Sequence, residues 1–340
     1  MSADNESALK DLIAAIAEEH VEPEPGELPA VWAAVAEAGL TRIGVPEENG
    51  GSDGDLGDLL VVVGELARHG IGTPIVACAA ANVLLGRHHE IDNAIRGVAA
   101  PGGVDRDVLR DVPWGRHAAE VLVPLRDRVR IVDVEHAAVE EDVDLADEPR
   151  DTVRPDGGVG GARLDEARGS DLTLLVGLLR AGALLGTLTG AYDLTRTYVA
   201  EREQFGAPLV RLPAVATQLA TMRTAQITAS TAVRRAAEIV DERGGVDAGD
   251  ATVAAAVAAA RISTASAAGD VARIAHQLHG AMGITQEYPL HRLTRRLWAW
   301  RDTDGTESEW SARLGTLCLD GGEAVLWDVV TASVPPRDVA

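Results

Sequence analysis

A mainly α-helical chain with one small β unit in its middle is the fold class this sequence predicts, and three observations carry it. Apolar residues recur at helical spacing through the first ninety residues and again from about residue 170 onward. Short β-branched runs replace that period only between 97 and 136. Aromatic residues make up 3% of the chain, so core volume comes mainly from Ala, Val and Leu, which favours closely packed helices. The expected division is a helical domain at 1–96, a small, truncated β domain at 97–168, a bundle of long helices at 169–332 and a tail at 333–340 containing Pro335-Pro336.

Residues 5–20 form an amphipathic helix with Leu9, Leu12, Ile13 and Ile16 on one face, broken by Pro23, Pro25 and Gly26. A second helix covers about 29–39. Ile43 to Ser52 is a loop in which Pro46 and the Gly50-Gly51 pair mark turns. Asp55 to His69 is the third helix, with Leu59, Val62, Val63 and Leu66 inward and Gly70 as its stop; a fourth covers roughly 74–86. Val121-Leu-Val-Pro-Leu and Val129-Arg-Ile-Val-Asp-Val read as strands. From Asp133 to Ser170 the chain is acidic and rich in Pro and Gly, and reads as loops and minor strands that continue the β unit. Its Asp156-Gly-Gly-Val-Gly-Gly161 run lacks the strand–turn–helix setting that a phosphate-binding loop requires.

The C-terminal half reads as four or more long antiparallel helices. Leu172 to about Glu201 is on the order of 45 Å long, with Gly177, Gly182, Gly186 and Gly190 mostly on one stripe, a pattern of close helix–helix approach. Further helices cover 212–243, Asp250 to about Leu278, and about Glu307–Asp328. Between the last two lie the helix stops Gly280 and Gly283, a short charged Arg/Trp-rich run, and Asp304-Gly305-Thr306-Glu307. A helix stop that bares backbone amides suits a phosphate or pyrophosphate, and a carboxylate on a turn can act as a base.

The net charge of −22 argues against nucleic acid and anionic membranes as partners. Lys10 is the only lysine. Cys78 and Cys318 are far apart in sequence, which fits a reducing compartment and argues against a disulfide framework or a cysteine zinc site. No metal site is expected. The N-terminus carries neither a basic nor an apolar leader pattern, and no uninterrupted apolar run reaches spanning length, so the expectation is a soluble, cytoplasmic protein.

Three motifs carry a resemblance. Val45-Pro-Glu-Glu-Asn-Gly-Gly51 followed by Leu56-Gly-Asp-Leu-Leu-Val-Val-Val-Gly-Glu-Leu-Ala67, then Arg202-Glu-Gln-Phe-Gly-Ala-Pro-Leu209, then Gln277-Leu-His-Gly-Ala-Met-Gly-Ile-Thr-Gln-Glu-Tyr-Pro289, resemble the acyl-CoA dehydrogenase family over nearly the whole chain. The resemblance implies an N-terminal helical domain, a β-barrel domain and a C-terminal four-helix bundle, with FAD at a subunit interface. It implies that Arg202, Gln204 and Phe205 meet the ADP half of an FAD bound mainly to a neighbouring subunit. Gln277, Leu278, His279, Gly280 and Ala281 would line its pyrophosphate or adenosine side, and Thr306 and Ser308 would contact the flavin on their own side. The implied reaction removes the C2 proton of an acyl-CoA thioester with a carboxylate while a hydride leaves C3 for the flavin, with electron-transfer flavoprotein as acceptor.

By position in the family pattern, Asp304 is the candidate catalytic base and Arg180 a substrate-binding candidate. Other members place the base on the first long bundle helix, where this chain has Leu179. Aspartate is one methylene shorter than the glutamate many members carry, and capping the next helix is an equal alternative for Asp304. Two departures stand out: Pro213 replaces a cofactor-touching glutamine, and no Thr-Glu-Pro loop or Trp-Ile-Thr strand occurs between 97 and 136. These losses resemble the shortened actinobacterial subunits of heteromeric dehydrogenases acting on sterol side-chain CoA thioesters. Three readings follow: a subunit that completes a flavin site with a full-length partner (α2β2), a non-catalytic structural partner, or a self-sufficient homo-oligomer using Asp304. Gly177, Ala181 and Gly182 suit either a bulky acyl chain or tight helix packing.

Overall fold

The computed structural model describes residues 3–100, 102–164, 167–204 and 206–331, with side chains described for 5–322 of these. The tail expected at 333–340 and Phe205 lie outside the described residues. Mostly helical, 59% of the chain, the fold runs from a helical region through a sheet region to a bundle.

The N-terminal helices are α1 (Ala3–Glu18), α2 (Val31–Glu37), α3 (Leu56–Arg68) and α4 (Ile75–Leu85). Helix α3 starts at a capping box in which Asp55 accepts the Asp58 N–H and the Asp58 side chain accepts the Asp55 N–H, which satisfies two otherwise orphaned donors. Its Leu59, Val62, Val63 and Leu66 are buried as the helical period requires.

The β unit contains more strands than the two legible in sequence. Strands β1 (Arg96–Val98), β2 (Val104–Asp105), β3 (Val108–Pro113), β4 (Glu120–Pro124), β5 (Val129–Asp133), β6 (Ala138–Glu140), β7 (Arg150–Arg154) and β8 (Ala162–Leu164) form two four-stranded sheets, β1-β4-β5-β8 and β2-β3-β7-β6. Leu109, Val112 and Val153 of one sheet pack on Val121, Val123 and Val132 of the other. Leu122 points the opposite way along β4, into the main helical core. The acidic, Gly-rich stretch thus supplies three edge and near-edge strands whose polar outer faces hide their period.

The bundle comprises α5 (Gly169–Glu201), α6 (Pro213–Glu242), α7 (Ala251–His279), α8 (Leu290–Asp302) and α9 (Glu307–Thr331). A short hairpin, β9 (Glu203–Gln204) and β10 (Ala207–Pro208), joins α5 to α6, and a 3-10 turn (Gly280–Ile284) follows α7. Pro213 is the first residue of α6, where its missing N–H costs nothing. The glycine stripe of α5 is a packing surface. A Cβ at Gly186 would lie 2.0 Å from the Gly64 carbonyl of α3, and one at Gly190 would lie 2.2 Å from the Arg68 carbonyl. Ala255, Ala260, Ala268, Ala272 and Ala275 give α7 the same closeness. By length and composition α5 and the α7 region could cross a bilayer, but 83% and 61% of those windows are buried within the fold, as in core helices.

Helix α8 corrects the expectation of a short charged segment. Leu290, Leu293, Leu297 and Trp300 are buried at helical spacing, and the arginines between them reach across the molecule. Arg296 donates to Glu148 of the β unit and to Glu22 of the segment after α1, both at 2.9 Å; Trp300 Nε1 donates to the other Glu148 oxygen at 2.9 Å. Burial would lower the Arg296 pKa, but Glu148 and Glu22 outweigh it and hold the guanidinium above its ordinary value.

Candidate functional site

Asp304 sits in the turn between α8 and α9 with a left-handed backbone, φ 61°. Its carboxylate accepts Arg180 Nε of α5 at 2.9 Å, and the two side chains are 10% and 8% exposed. Arg180 also stands over the Trp300 ring, 5.3 Å from its centroid. The turn is fixed from behind by Arg261, a fully buried α7 residue whose Nη2 donates to the carbonyls of Thr303 (2.9 Å) and Gly305 (2.8 Å). Burial pushes the Arg261 guanidinium down to about 10, so it stays charged at neutral pH. The sequence reading missed Arg261; its signal is that it is the only charged residue between Asp250 and Asp270.

Thr306 caps α9. Its N–H and hydroxyl donate to Glu309 at 2.7 and 3.0 Å, and its hydroxyl accepts the Glu309 N–H at 3.2 Å. Thr306 and exposed Ser308 line a recess of about 540 Å³ together with Ser266, Ser311 and Arg301. Next to it, between the β unit and the same turn, a cleft of about 480 Å³ is lined by Arg110, Arg150, Asp111, Asp142, Asp144 and Asp302. Across that cleft wall Arg150 grips Asp111 bidentately, at 2.7 and 2.5 Å.

The remaining candidates gather at the other end of the bundle. Tyr198 of α5 stacks on His279 of α7 with ring centroids 4.3 Å apart, which brings the C-terminal ends of both helices together. Arg202 and Gln204 are exposed on the hairpin, where Gly206 has φ 80°, and Gln277, Gly280 and Ala281 are exposed beside them. Leu278 and His279 point inward: the His279 ring meets the Ala275 carbonyl at 2.8 Å and the Tyr288 hydroxyl at 3.2 Å. Burial lowers the His279 pKa, which favours a neutral ring there. The C-terminus of α7 turns its last carbonyls outward, so backbone amides for a pyrophosphate would come from the exposed start of the 3-10 turn at Gly280 and Ala281 and not from α7 itself.

Arg180 and Arg202 are 22 residues apart on one helix, so these two groups of candidates are separated by about 33 Å. The exposed Arg202, Gln204 and Gln277 group fits the ADP half of an FAD that approaches from outside the chain. Thr306 and Ser308, the candidates for the flavin's near side, line the recess with Ser266, Ser311 and Arg301, and the adjoining cleft holds four aspartates, so neither gives a flat ring apolar cover.

Comparison with known proteins decides the family. The acyl-CoA dehydrogenase N-terminal domain matches residues 3–89 and the acyl-CoA dehydrogenase C-terminal domain matches residues 178–309, together well over half of the chain. The chain belongs to the acyl-CoA dehydrogenase family. Acyl-CoA dehydrogenase FadE28 of Mycobacterium tuberculosis is 29% identical over 311 residues, covering 77% of this chain and 84% of that protein. A chain of the ChsE4–ChsE5 complex from Mycobacterium tuberculosis superposes with a TM-score of 0.81 at 21% identity, covering 95% of this chain and 99% of that one. A chain of a Tcur3481–Tcur3483 steroid ACAD variant gives 0.81 at 24% identity, covering 94% and 98%. At those identities the two structures establish the shared fold.

An acyl-CoA dehydrogenase needs a slot for its thioester, and an apolar cavity lies next to the Asp304 turn. About 580 Å³ in volume, it lies between the start of α5, the start of α7, α9 and the end of β4, with Ser170, Thr173, Leu174, Ala258 and Trp310 among its walls. Neither Arg180 nor Asp304 lines it. Arg180 meets Asp304 and Trp300 instead of this cavity.

Proposed function

We propose that the chain is one subunit of a heteromeric, cytoplasmic, FAD-dependent acyl-CoA dehydrogenase that oxidises an acyl-CoA thioester between C2 and C3. The observation that carries this reading is the 33 Å separation, about the length of 22 helical residues, between the substrate and catalytic candidates Arg180 and Asp304 and the cofactor candidates around Arg202. One copy cannot bring both to one flavin, so Arg202, Gln204 and Gln277 serve a cofactor held mainly by a partner. The bundle surface suits such a partner. Arg223 is the only charged residue between Pro213 and Thr231, and Ala216, Ala220, Thr224 and Thr228 are exposed there, with Met282 and Ile284 exposed after α7.

The chemistry FAD supplies when bound is acceptance of the hydride from C3, with electron-transfer flavoprotein as the onward acceptor. In this chain the Asp304 carboxylate is tied to Arg180 in a nearly buried ion pair and does not line the apolar cavity. The partner therefore supplies the base that takes the C2 proton. The sterol side-chain thioester class is supported by the steroid ACAD variant among the similar structures.

The test is to purify the chain alone and with a co-expressed full-length dehydrogenase subunit, and to record flavin absorbance. Stoichiometric FAD in the chain alone would falsify the heteromer reading. The Arg180–Asp304 pair and the charged cleft favour a second reading, a subunit that completes the interface and takes no part in catalysis. Arg202→Ala in the co-expressed complex separates the two: loss of bound FAD supports the cofactor role and unchanged FAD content supports the purely structural one, while a hundredfold loss of bleaching in Asp304→Asn, about 2.7 kcal/mol, would return the base to this chain.

A further inference from the structure

The apolar cavity at the start of α5 ends on a single side chain. Along one stripe of α5, Ser170, Thr173 and Leu174 line the cavity, Gly177 carries the Trp310 indole, and Arg180 holds Asp304. Trp310 is 1% exposed. A Cβ at Gly177 would lie 2.6 Å from the indole, and one at Gly305 would lie 2.8 Å from its Nε1. Nε1 donates to the Asp304 carbonyl at 3.2 Å, and the Arg313 guanidinium stands 4.6 Å over the ring. Backbone on two sides and a cation on a third fix the indole, which makes it a wall.

The cavity has the chemistry of a CoA slot. Its walls are mainly apolar, with the hydroxyls of Ser170 and Thr173 and the cations of Arg126 and Arg313, which suits a narrow pantetheine arm with an anionic head. We propose that Trp310 sets the depth of this slot: a CoA thioester enters as far as the indole, and its acyl group stops short of the Arg180–Asp304 pair. This rests on the acyl-CoA reading above. It makes the chain able to hold the CoA arm while the acyl end goes unread, and it makes Gly177 and Trp310 a matched pair, since any larger residue at 177 would collide with the ring.

The test is calorimetric titration of the full chain with CoA and with butyryl-CoA. Wild-type chain is expected to bind the two within twofold of each other. Trp310→Ala opens the space over Gly177 and is expected to favour butyryl-CoA by tenfold or more; Trp310→Leu, which keeps the core apolar, gives the same sign. A wild-type chain that already prefers butyryl-CoA tenfold overturns the proposal, whatever the variants do. So does a variant with native circular dichroism and no acyl preference, or failure of every form to bind CoA. Flavin content plays no part in this measurement, so the heteromer reading and this one can fail separately.

Discussion

At the scale of single residues the decisive feature is the partnership of Arg180 and Asp304. Both are nearly buried, so removing one strands the other. Asp304→Ala is expected to cost about 3 kcal/mol of stability by urea unfolding, as for a broken buried ion pair, with Arg180→Met recovering part of the loss in the double variant. A double variant no more stable than Asp304→Ala would show that the pair is not coupled. The same residues display the limit of sequence reading here. Asp304 stood out by its turn and position, but its guanidinium partner lies 124 residues earlier, and such a pairing has no local signature.

At the scale of elements, α5 and α3 are fitted by glycine, and the cost of filling the gap depends on what is met. Gly186→Ala would drive a methyl into the Gly64 backbone, so a loss of about 2 kcal/mol is expected from forced helix separation. Gly182→Ala meets only the end of Leu60, which can move, and the gain of about 1 kcal/mol in helix propensity offsets it, so its melting temperature is expected to stay near wild type. Equal losses at the two positions would refute the backbone-contact argument. Asp55→Ala removes the N-cap of α3 and should cost about 1 kcal/mol by the same assay.

For the whole molecule, Glu22, Glu148 and Arg296 join the first linker, the β unit and α8. Burial would raise the Glu22 pKa from 4.5, but the His20 hydrogen bond and the Arg296 and Arg292 guanidiniums prevail and hold it at about 2. Its folded pKa is depressed, so its contribution is complete above pH 4.5 and is lost as pH falls from there towards 2. Because Glu22 is 29% exposed, solvent screens part of that contribution. Glu22→Gln should therefore flatten the acid side of a melting temperature against pH curve below 4.5; an unchanged slope would place the acid sensitivity elsewhere.

The sequence by itself determined the helical character, the approximate helix bounds and the family, because 3.6-residue periodicity, glycine stops and ordered motifs are local or linear features. It also located the exposed Arg202 and Gln277 segments. Only the tertiary structure decided three things: that α8 is a helix whose Arg292, Arg295 and Arg296 pair with distant carboxylates, that Gly182, Gly186 and Gly190 of α5 admit α3 while Gly177 admits Trp310, and that Trp310 joins the wall of the apolar cavity to the Asp304 turn. Each depends on contacts between residues far apart in the chain, where packing and charge pairing act and sequence spacing carries no record.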